Sequence, residues 1–95
     1  MPDPSLSTLV SVRVVYLARL RDALGTAGET LPLSGDDAPT VDAIVNVLRA
    51  RGGAWAQELA PGRAVRFAVN HRLANRTQAV ADGDEVAIFP PVTGG

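Results

Sequence analysis

The clearest helical pattern in the chain is Thr40-Val41-Asp42-Ala43-Ile44-Val45-Asn46-Val47-Leu48-Arg49-Ala50-Arg51. Four of its apolar residues recur at the spacing i, i+3, i+4, i+7, which puts them on one helical face: Val41, Ile44, Val45 and Leu48. Thr40 is a good N-cap residue, and Arg49 and Arg51 suit the negative end of the helix dipole. The pattern ends at Gly52-Gly53. The sequence therefore predicts an amphipathic helix over residues 41–51 that packs on a single core.

Two strand patterns precede this helix. Residues 9–17 are rich in β-branched and aromatic side chains, and residues 29–33 form a second, shorter candidate. Pro32 cannot donate a hydrogen bond to a neighbouring strand, so the second strand is expected at a sheet edge. The segment between them, residues 18–24, breaks at Gly25. We therefore expect the two strands to form a hairpin through a short loop.

The helix is followed by more strand patterns. Residues 54–59 are expected to add a turn of helix, with Trp55 and Leu59 packing at its end. The strand candidates after it are residues 64–70, a brief pairing segment at 73–74, and residues 85–89, which follow the turn signature Asp82-Gly83-Asp84.

This order predicts an α+β domain of the β-grasp (ubiquitin-like) type over residues 9–89. In that arrangement one main helix packs on one face of a mixed sheet, and the last strand returns beside the first. A ferredoxin-like split would require a second helix, and the sequence after residue 64 has no stretch long enough to supply it.

Strand alternation divides the apolar residues between two faces of the sheet. The face toward the helix is expected to carry Val12, Val14, Val65, Phe67, Val69, Val86 and Ile88. The other face is expected to carry Val15, Leu17, Ala68, Ala87 and Phe89. These residues are apolar, whereas a face exposed to solvent would be polar. Scattered exposed apolar residues are ordinary, whereas a contiguous set points to a partner surface.

Composition restricts the chemistry that the side chains can perform. The 95 residues suit a single domain, and a formal net charge of −1 gives no basis for binding nucleic acid or an anionic membrane. The absence of cysteine excludes disulfides, thiolate metal sites and a cysteine nucleophile. The single histidine, His71, is interpreted as a turn residue, so no metal site is expected. Without an apolar run of about 20 residues or a signal peptide, the expected location is the cytoplasm.

The two ends of the sequence are expected to lie outside the folded domain. Residues 1–8 contain two prolines and small polar residues, which is typical of a disordered extension. At the other end, Pro90 and Pro91 favour an extended exit, and Val92-Thr93-Gly94-Gly95 follows. The last two residues have no side chain, so a terminal carboxylate there could enter a narrow partner site. The alternative is a frayed, glycine-rich chain end. Residues 90–95 are therefore predicted to be a flexible tail that acts as a reagent.

Four segments resemble the small subunit of molybdopterin synthase, a family of ubiquitin-like sulfur carriers. They are Val14-Val15-Tyr16-Leu17-Ala18-Arg19-Leu20-Arg21-Asp22-Ala23-Leu24-Gly25, Thr40-Val41-Asp42-Ala43, Val69-Asn70 and the closing Asp82-Gly83-Asp84-Glu85-Val86-Ala87-Ile88-Phe89-Pro90-Pro91-Val92-Thr93-Gly94-Gly95. The closing segment is the most specific of the four. The family commonly has Phe where Leu17 stands, and residues 1–9 lie outside its pattern.

The resemblance implies that Gly95 is adenylated with ATP by an activating enzyme and is then converted to a thiocarboxylate. The tail would enter the large catalytic subunit, as part of a heterotetramer, and give its sulfur to cyclic pyranopterin monophosphate. Gly94 and Gly95 would be the threading and reacting pair, and the chain itself would bind no cofactor. The expected contacts with the partner are Leu17, Arg21, Leu73, Phe89, Pro90, Pro91, Val92 and Thr93. For Arg21, an ordinary surface charge is an equal alternative.

Other functions are compatible with the same pattern. A carrier of this kind could serve thiamine, cysteine or tRNA thiolation, although the Phe-Pro-Pro-Val-Thr-Gly-Gly ending favours molybdopterin. From different classes, the chain could be a ubiquitin-like protein modifier or an interaction domain with an inert tail. In each case its own side chains supply no catalytic group, so any enzymatic activity would belong to a complex.

Overall fold

A computed structural model describes residues 10–33 and 39–91 of the chain. The chain order is β1 (Val10–Tyr16), α1 (Arg19–Leu24), β2 (Gly28–Leu33), α2 (Val41–Arg49), α3 (Gly53–Glu58), β3 (Arg66–Val69), β4 (Arg72–Ala74) and β5 (Glu85–Phe89). The predicted N-terminal extension, the loop at 34–38, and Val92, Thr93, Gly94 and Gly95 lie outside the described residues. Among the described residues, no helix has the length and apolar character that crossing a membrane requires.

The five strands form one mixed sheet in the order β2-β1-β5-β3-β4. β5 runs parallel to β1, and the other neighbouring pairs are antiparallel. The predicted return of the last strand beside the first is therefore confirmed, as is the β-grasp arrangement. β2 is an edge strand, which is where Pro32 was expected.

The core lies between the sheet and α2. Val41, Ile44, Val45 and Leu48 are fully buried on the sheet-facing side of the helix. At the start of the helix, the Thr40 hydroxyl accepts a hydrogen bond from the Ala43 backbone N–H at 3.2 Å, which confirms the predicted N-cap. Six of the seven sheet residues expected in the core are buried: Val12, Val14, Phe67, Val69, Val86 and Ile88.

Several local predictions were wrong. The connection between β1 and β2 is not a short loop, because it contains the six-residue helix α1. Val65 precedes β3 and is only half-buried against the core, since the strand begins at Arg66 rather than at residue 64. The main helix ends at Arg49, two residues before the predicted end. The helical turn expected at 54–59 is present as α3, and Leu59 is fully buried behind it.

A polar cluster closes the core beyond the C-terminal end of α2. The Tyr16 hydroxyl donates a hydrogen bond to Glu29 Oε2 at 2.8 Å, and the Arg51 guanidinium donates to both Glu29 oxygens at 2.8 and 2.6 Å. The same guanidinium lies 4.5 Å from the centroid of the Trp55 ring, which also packs edge-on against Tyr16 at 5.3 Å. Because Arg51 bonds the carboxylate, the pKa of Glu29 is held below its ordinary value, while burial raises the pKa of Tyr16.

We expect acid to destabilise the fold partly through Glu29. Its pKa in the folded chain is lower than its ordinary value of 4.5, so the unfolded chain takes up this proton at a higher pH. The stabilisation is thus fully present above about pH 5 and is lost as the pH falls through the folded-state pKa. The free energy of unfolding in urea, followed by circular dichroism, should fall more gently with pH in Glu29→Gln than in the wild type. Equal slopes would contradict the prediction.

Candidate functional site

The sheet face opposite α2 carries a continuous apolar row. The strand register aligns Leu73 of β4 with Ala68 of β3, Ala68 with Ala87 of β5, and Ala87 with Val15 of β1. Because neighbouring strands lie about 4.8 Å apart, these four side chains form one stripe across the sheet. Leu73 is 81% exposed and the other three are half-buried. We call this row, together with Leu17 and Phe89 beside it, the docking face.

Leu17 and Phe89 extend the row toward one end of the sheet. The Leu17 N–H donates to the Ile88 carbonyl at 3.1 Å, which keeps the two chain segments together just beyond β1. Leu17 is 43% exposed and Phe89 is half-buried, and Arg66 is the cross-strand partner of Phe89. The structure thus brings the predicted contacts Leu17, Phe89 and Leu73 onto one face. Whether they contact a partner stays a prediction.

The tail leaves the sheet at the same end. β5 runs parallel to β1, so Pro90 and Pro91 follow Phe89 near the point where Leu17 leaves β1. Both prolines are half-buried. The remaining predicted tail residues, Val92, Thr93, Gly94 and Gly95, lie outside the described residues. An apolar docking face and the exit of the tail are therefore next to each other.

The turn from β1 into α1 has an unusual backbone. Ala18 adopts φ 56° and ψ −135°, close to the first central position of a type II′ turn, which glycine usually occupies. The Leu20 N–H closes this turn on the Leu17 carbonyl at 3.2 Å, and the Arg21 N–H donates to the Ala18 carbonyl at 3.1 Å. Leu20 is fully buried, whereas Arg21 lies exposed on α1. We call residues 17–21 the α1 corner.

Replacing Ala18 with glycine should stabilise the domain by about 1 kcal/mol. A side chain at this positive φ stores strain of about 1–3 kcal/mol, which exceeds the entropic cost of an added glycine. The matched control is Ala23→Gly in α1, where the backbone is helical and the change should destabilise by about 0.5–1 kcal/mol. Chemical denaturation of both variants measures the difference. A less stable Ala18→Gly variant would contradict the strain argument.

The opposite end of the sheet is organised by polar turns. Asn70 and His71 connect β3 to β4 with positive φ values of 50° and 70°, so His71 lies in a turn as predicted. Its Nε2 is 3.6 Å from Glu85 Oε2, and its side chain is 85% exposed. The Asn70 amide donates to Asp84 at 3.0 Å, which contributes most to the lowered pKa of Asp84. In the part of the chain that the structure describes, no three His, Asp or Glu side chains are grouped as metal ligands.

Sequence reasoning missed the side chains that support the α1 corner. Arg19 Nη1 donates to Glu58 Oε1 at 2.6 Å, and Arg63 Nη2 donates to the same oxygen at 3.0 Å. These two bonds hold the pKa of Glu58 below its ordinary value, and the bond from Arg19 contributes most. Arg19 and Glu58 are 39 residues apart, so no local pattern in the sequence indicates the pair.

Comparison with known proteins identifies the family of this chain. The model of the ThiS family matches residues 14–95. The chain belongs to the ThiS family. Among curated relatives, it is 38% identical to the molybdopterin synthase sulfur carrier subunit of Escherichia coli (strain K12) over 84 residues, which are 88% of this chain and 99% of the relative. It is 37% identical to the subunit of that name in Haemophilus influenzae, with the same coverage. The resemblance drawn from the sequence is thereby confirmed.

Solved structures of similar proteins have the same fold. The putative molybdopterin converting factor, subunit 1, from Pyrococcus furiosus has a TM-score of 0.71 and 27% identity, covering 87% of this chain and 99% of that one. The small archaeal modifier protein 1 from Methanosarcina acetivorans has a TM-score of 0.67 and 26% identity, covering 92% and 98%. A chain in the complex of subunits 1 and 2 of the molybdopterin-converting factor from Helicobacter pylori has a TM-score of 0.61 and covers 90% and 100%; its 20% identity supports the fold alone.

Proposed function

We propose that this chain is the sulfur carrier subunit of a molybdopterin synthase. The observation that carries the proposal is its identity of 38% to a sulfur carrier subunit, over 99% of that relative's length. The docking face and the neighbouring exit of the tail agree with it, because a carrier must bind a larger protein and present its end to it. The partners are a large catalytic subunit, in a heterotetramer, and an activating enzyme.

The proposed chemistry takes place at the carboxylate of Gly95. A free carboxylate is a poor electrophile, so it attacks the α-phosphate of ATP, and pyrophosphate leaves. Sulfide then adds to the acyl-adenylate carbonyl and displaces AMP, which forms the thiocarboxylate. In the large subunit the thiocarboxylate sulfur bonds to a carbon of cyclic pyranopterin monophosphate and displaces an oxygen substituent there. Water then cleaves the acyl–sulfur bond, which leaves the sulfur on the pterin and returns the Gly95 carboxylate. The carrier needs no cysteine for any of these steps, and its sequence contains none.

The docking face would provide much of the binding energy for the large subunit. Burying roughly 400 Å² of apolar surface at about 25 cal/mol/Å² contributes about 10 kcal/mol before the entropy of association is subtracted. A large part of that gain is offset when two free proteins become one complex. The resulting complex is stable but can still dissociate. A carrier that binds both the activating enzyme and the large subunit requires this.

Intact-mass measurement tests the proposal. Protein isolated from its native source, or treated with ATP, activating enzyme and a sulfur donor, should gain about 16 Da as oxygen is replaced by sulfur, and it should copurify with the large subunit. Removal of Gly95 is the control and should abolish the mass shift. Unmodified mass in both preparations would contradict the proposal.

A second candidate function is that of a protein modifier. It is favoured by the likeness to the small archaeal modifier protein 1 of Methanosarcina acetivorans, at 26% identity. A modifier uses the same acyl-adenylate but transfers its carbonyl to a lysine amine, with loss of AMP. Conjugates of this chain with other proteins, joined at Gly95 and resistant to thiols, would favour this function over sulfur transfer.

A further inference from the structure

Helix α1 requires support from other elements to hold its position. It has six residues, whereas isolated helices shorter than about 12 residues are marginal in water. Its N-cap residue, Ala18, has no side-chain oxygen with which to cap it, and the backbone there is strained at φ 56°. Leu20 is the only buried residue of the helix. The conformation of the α1 corner must therefore be maintained by tertiary contacts.

Glu58 supplies such a contact from α3. Its side chain is 15% exposed, and its Oε1 accepts hydrogen bonds from both Arg19 and Arg63, whose own side chains are about half exposed. Arg19 is the first residue of α1, directly after the strained Ala18, and Arg63 lies in the segment before β3. A carboxylate oxygen that accepts two charged hydrogen bonds is held from two sides, and such a network of charges stabilises more than a single surface ion pair. Glu58 therefore ties the start of α1 to the end of α3.

We infer that Glu58, acting through Arg19, is a positioning residue for partner binding. Arg19 lies between the exposed residues Leu17 and Arg21, so its ion pair with Glu58 restrains the backbone segment that carries both of them. The Leu17 N–H is bonded to Ile88, next to Phe89, and thus the α1 corner forms one end of the docking face. The inference rests on the proposed function, because the partner is the large subunit of molybdopterin synthase.

A double-mutant cycle on Glu58→Gln and Arg19→Gln tests the inference, with the large subunit from the same organism as the ligand. Each single variant should raise the Kd about three- to fivefold, as expected for the loss of one charged contact. The double variant should be no weaker than the single ones, because both changes remove the same contact. The matched control is Arg63→Gln, which removes the other bond to Glu58 without touching α1 and should leave the Kd unchanged.

Amide hydrogen exchange in the free carrier provides a readout that needs no partner. In Glu58→Gln and Arg19→Gln, exchange at the Leu20 and Arg21 amides should become several-fold faster, while the β1 and β5 amides keep their wild-type rates. Additive losses of affinity, or a loss in Arg19→Gln alone, would show that Arg19 contacts the partner directly and would overturn the inference. Unchanged exchange in the α1 corner would overturn it as well. Failure of the wild-type chain to bind the large subunit would instead contradict the proposed function, and with it the docking role of Glu58.

Discussion

Replacing Ile88 with arginine should unfold the domain, whereas the same substitution at Phe89 should leave it folded and abolish tight binding of the large subunit. Ile88 is fully buried against the core, so an arginine there would be an unpaired charge in an apolar surrounding. Such a change costs more than about 4 kcal/mol, a large part of the 5–15 kcal/mol that stabilises a typical domain. Phe89 is the next residue along β5 and lies on the opposite face, half-buried.

Thermal unfolding and calorimetric titration of the two variants measure this difference. Phe89→Arg should lower the melting temperature by only a few degrees. Part of this loss comes from repulsion between the new arginine and Arg66, its cross-strand partner. The Kd of this variant for the large subunit should rise by at least a hundredfold, because a charge would replace the aromatic side chain at the end of the docking face from which the tail leaves. Phe89→Leu is the control and should retain most of the affinity. If Phe89→Arg bound as tightly as the wild type, the docking face would have to be sought elsewhere.

Most of the fold could be predicted because its signals are local. The apolar spacing from Val41 to Leu48, with Thr40 before it, specifies α2 within a few residues. The Asp82-Gly83-Asp84 turn precedes β5, whose observed bounds are those predicted. Helix α1 was missed because six residues are too few to display a helical period, and alanine is an unexpected residue at the positive φ of position 18.

The docking face could be predicted in its residues but not in its arrangement. Alternation along each strand assigned Val15, Ala68 and Ala87 to the face away from α2. Their alignment in one row with Leu73 depends on the register between strands that are far apart in sequence, which no local pattern contains. The same holds for the ion pair of Arg51 with Glu29 and that of Arg19 with Glu58, in which 22 and 39 residues separate the partners. The roles of the tail residues stay predictions.

Adding one residue after Gly95 should abolish sulfur transfer and leave the stability of the domain unchanged. The proposed reaction requires the carboxylate of Gly95 itself as the acyl group, and an extended chain has an amide at that position instead. An amide carbonyl is not adenylated by ATP, and the carboxylate of the added residue lies one residue too far along the tail to take the place of the Gly95 carboxylate. We therefore expect sulfur transfer below the detection limit of a reconstituted assay, with a loss of at least a thousandfold.

Three comparisons separate this chemical effect from unfolding, from a change in chain length and from obstruction of the tail. The extended variant should have the wild-type melting temperature, because the core ends with Ile88 in β5 and the added residue is remote from it. A variant extended by one residue before Met1 should transfer sulfur at the wild-type rate, since it alters the chain by the same amount at the other end. Gly94→Val keeps the carboxylate and should slow adenylation and transfer, because its branched side chain would obstruct a channel that closes around the backbone. Full activity of the chain extended after Gly95 would show that the sulfur is carried elsewhere and that the tail is not the reagent.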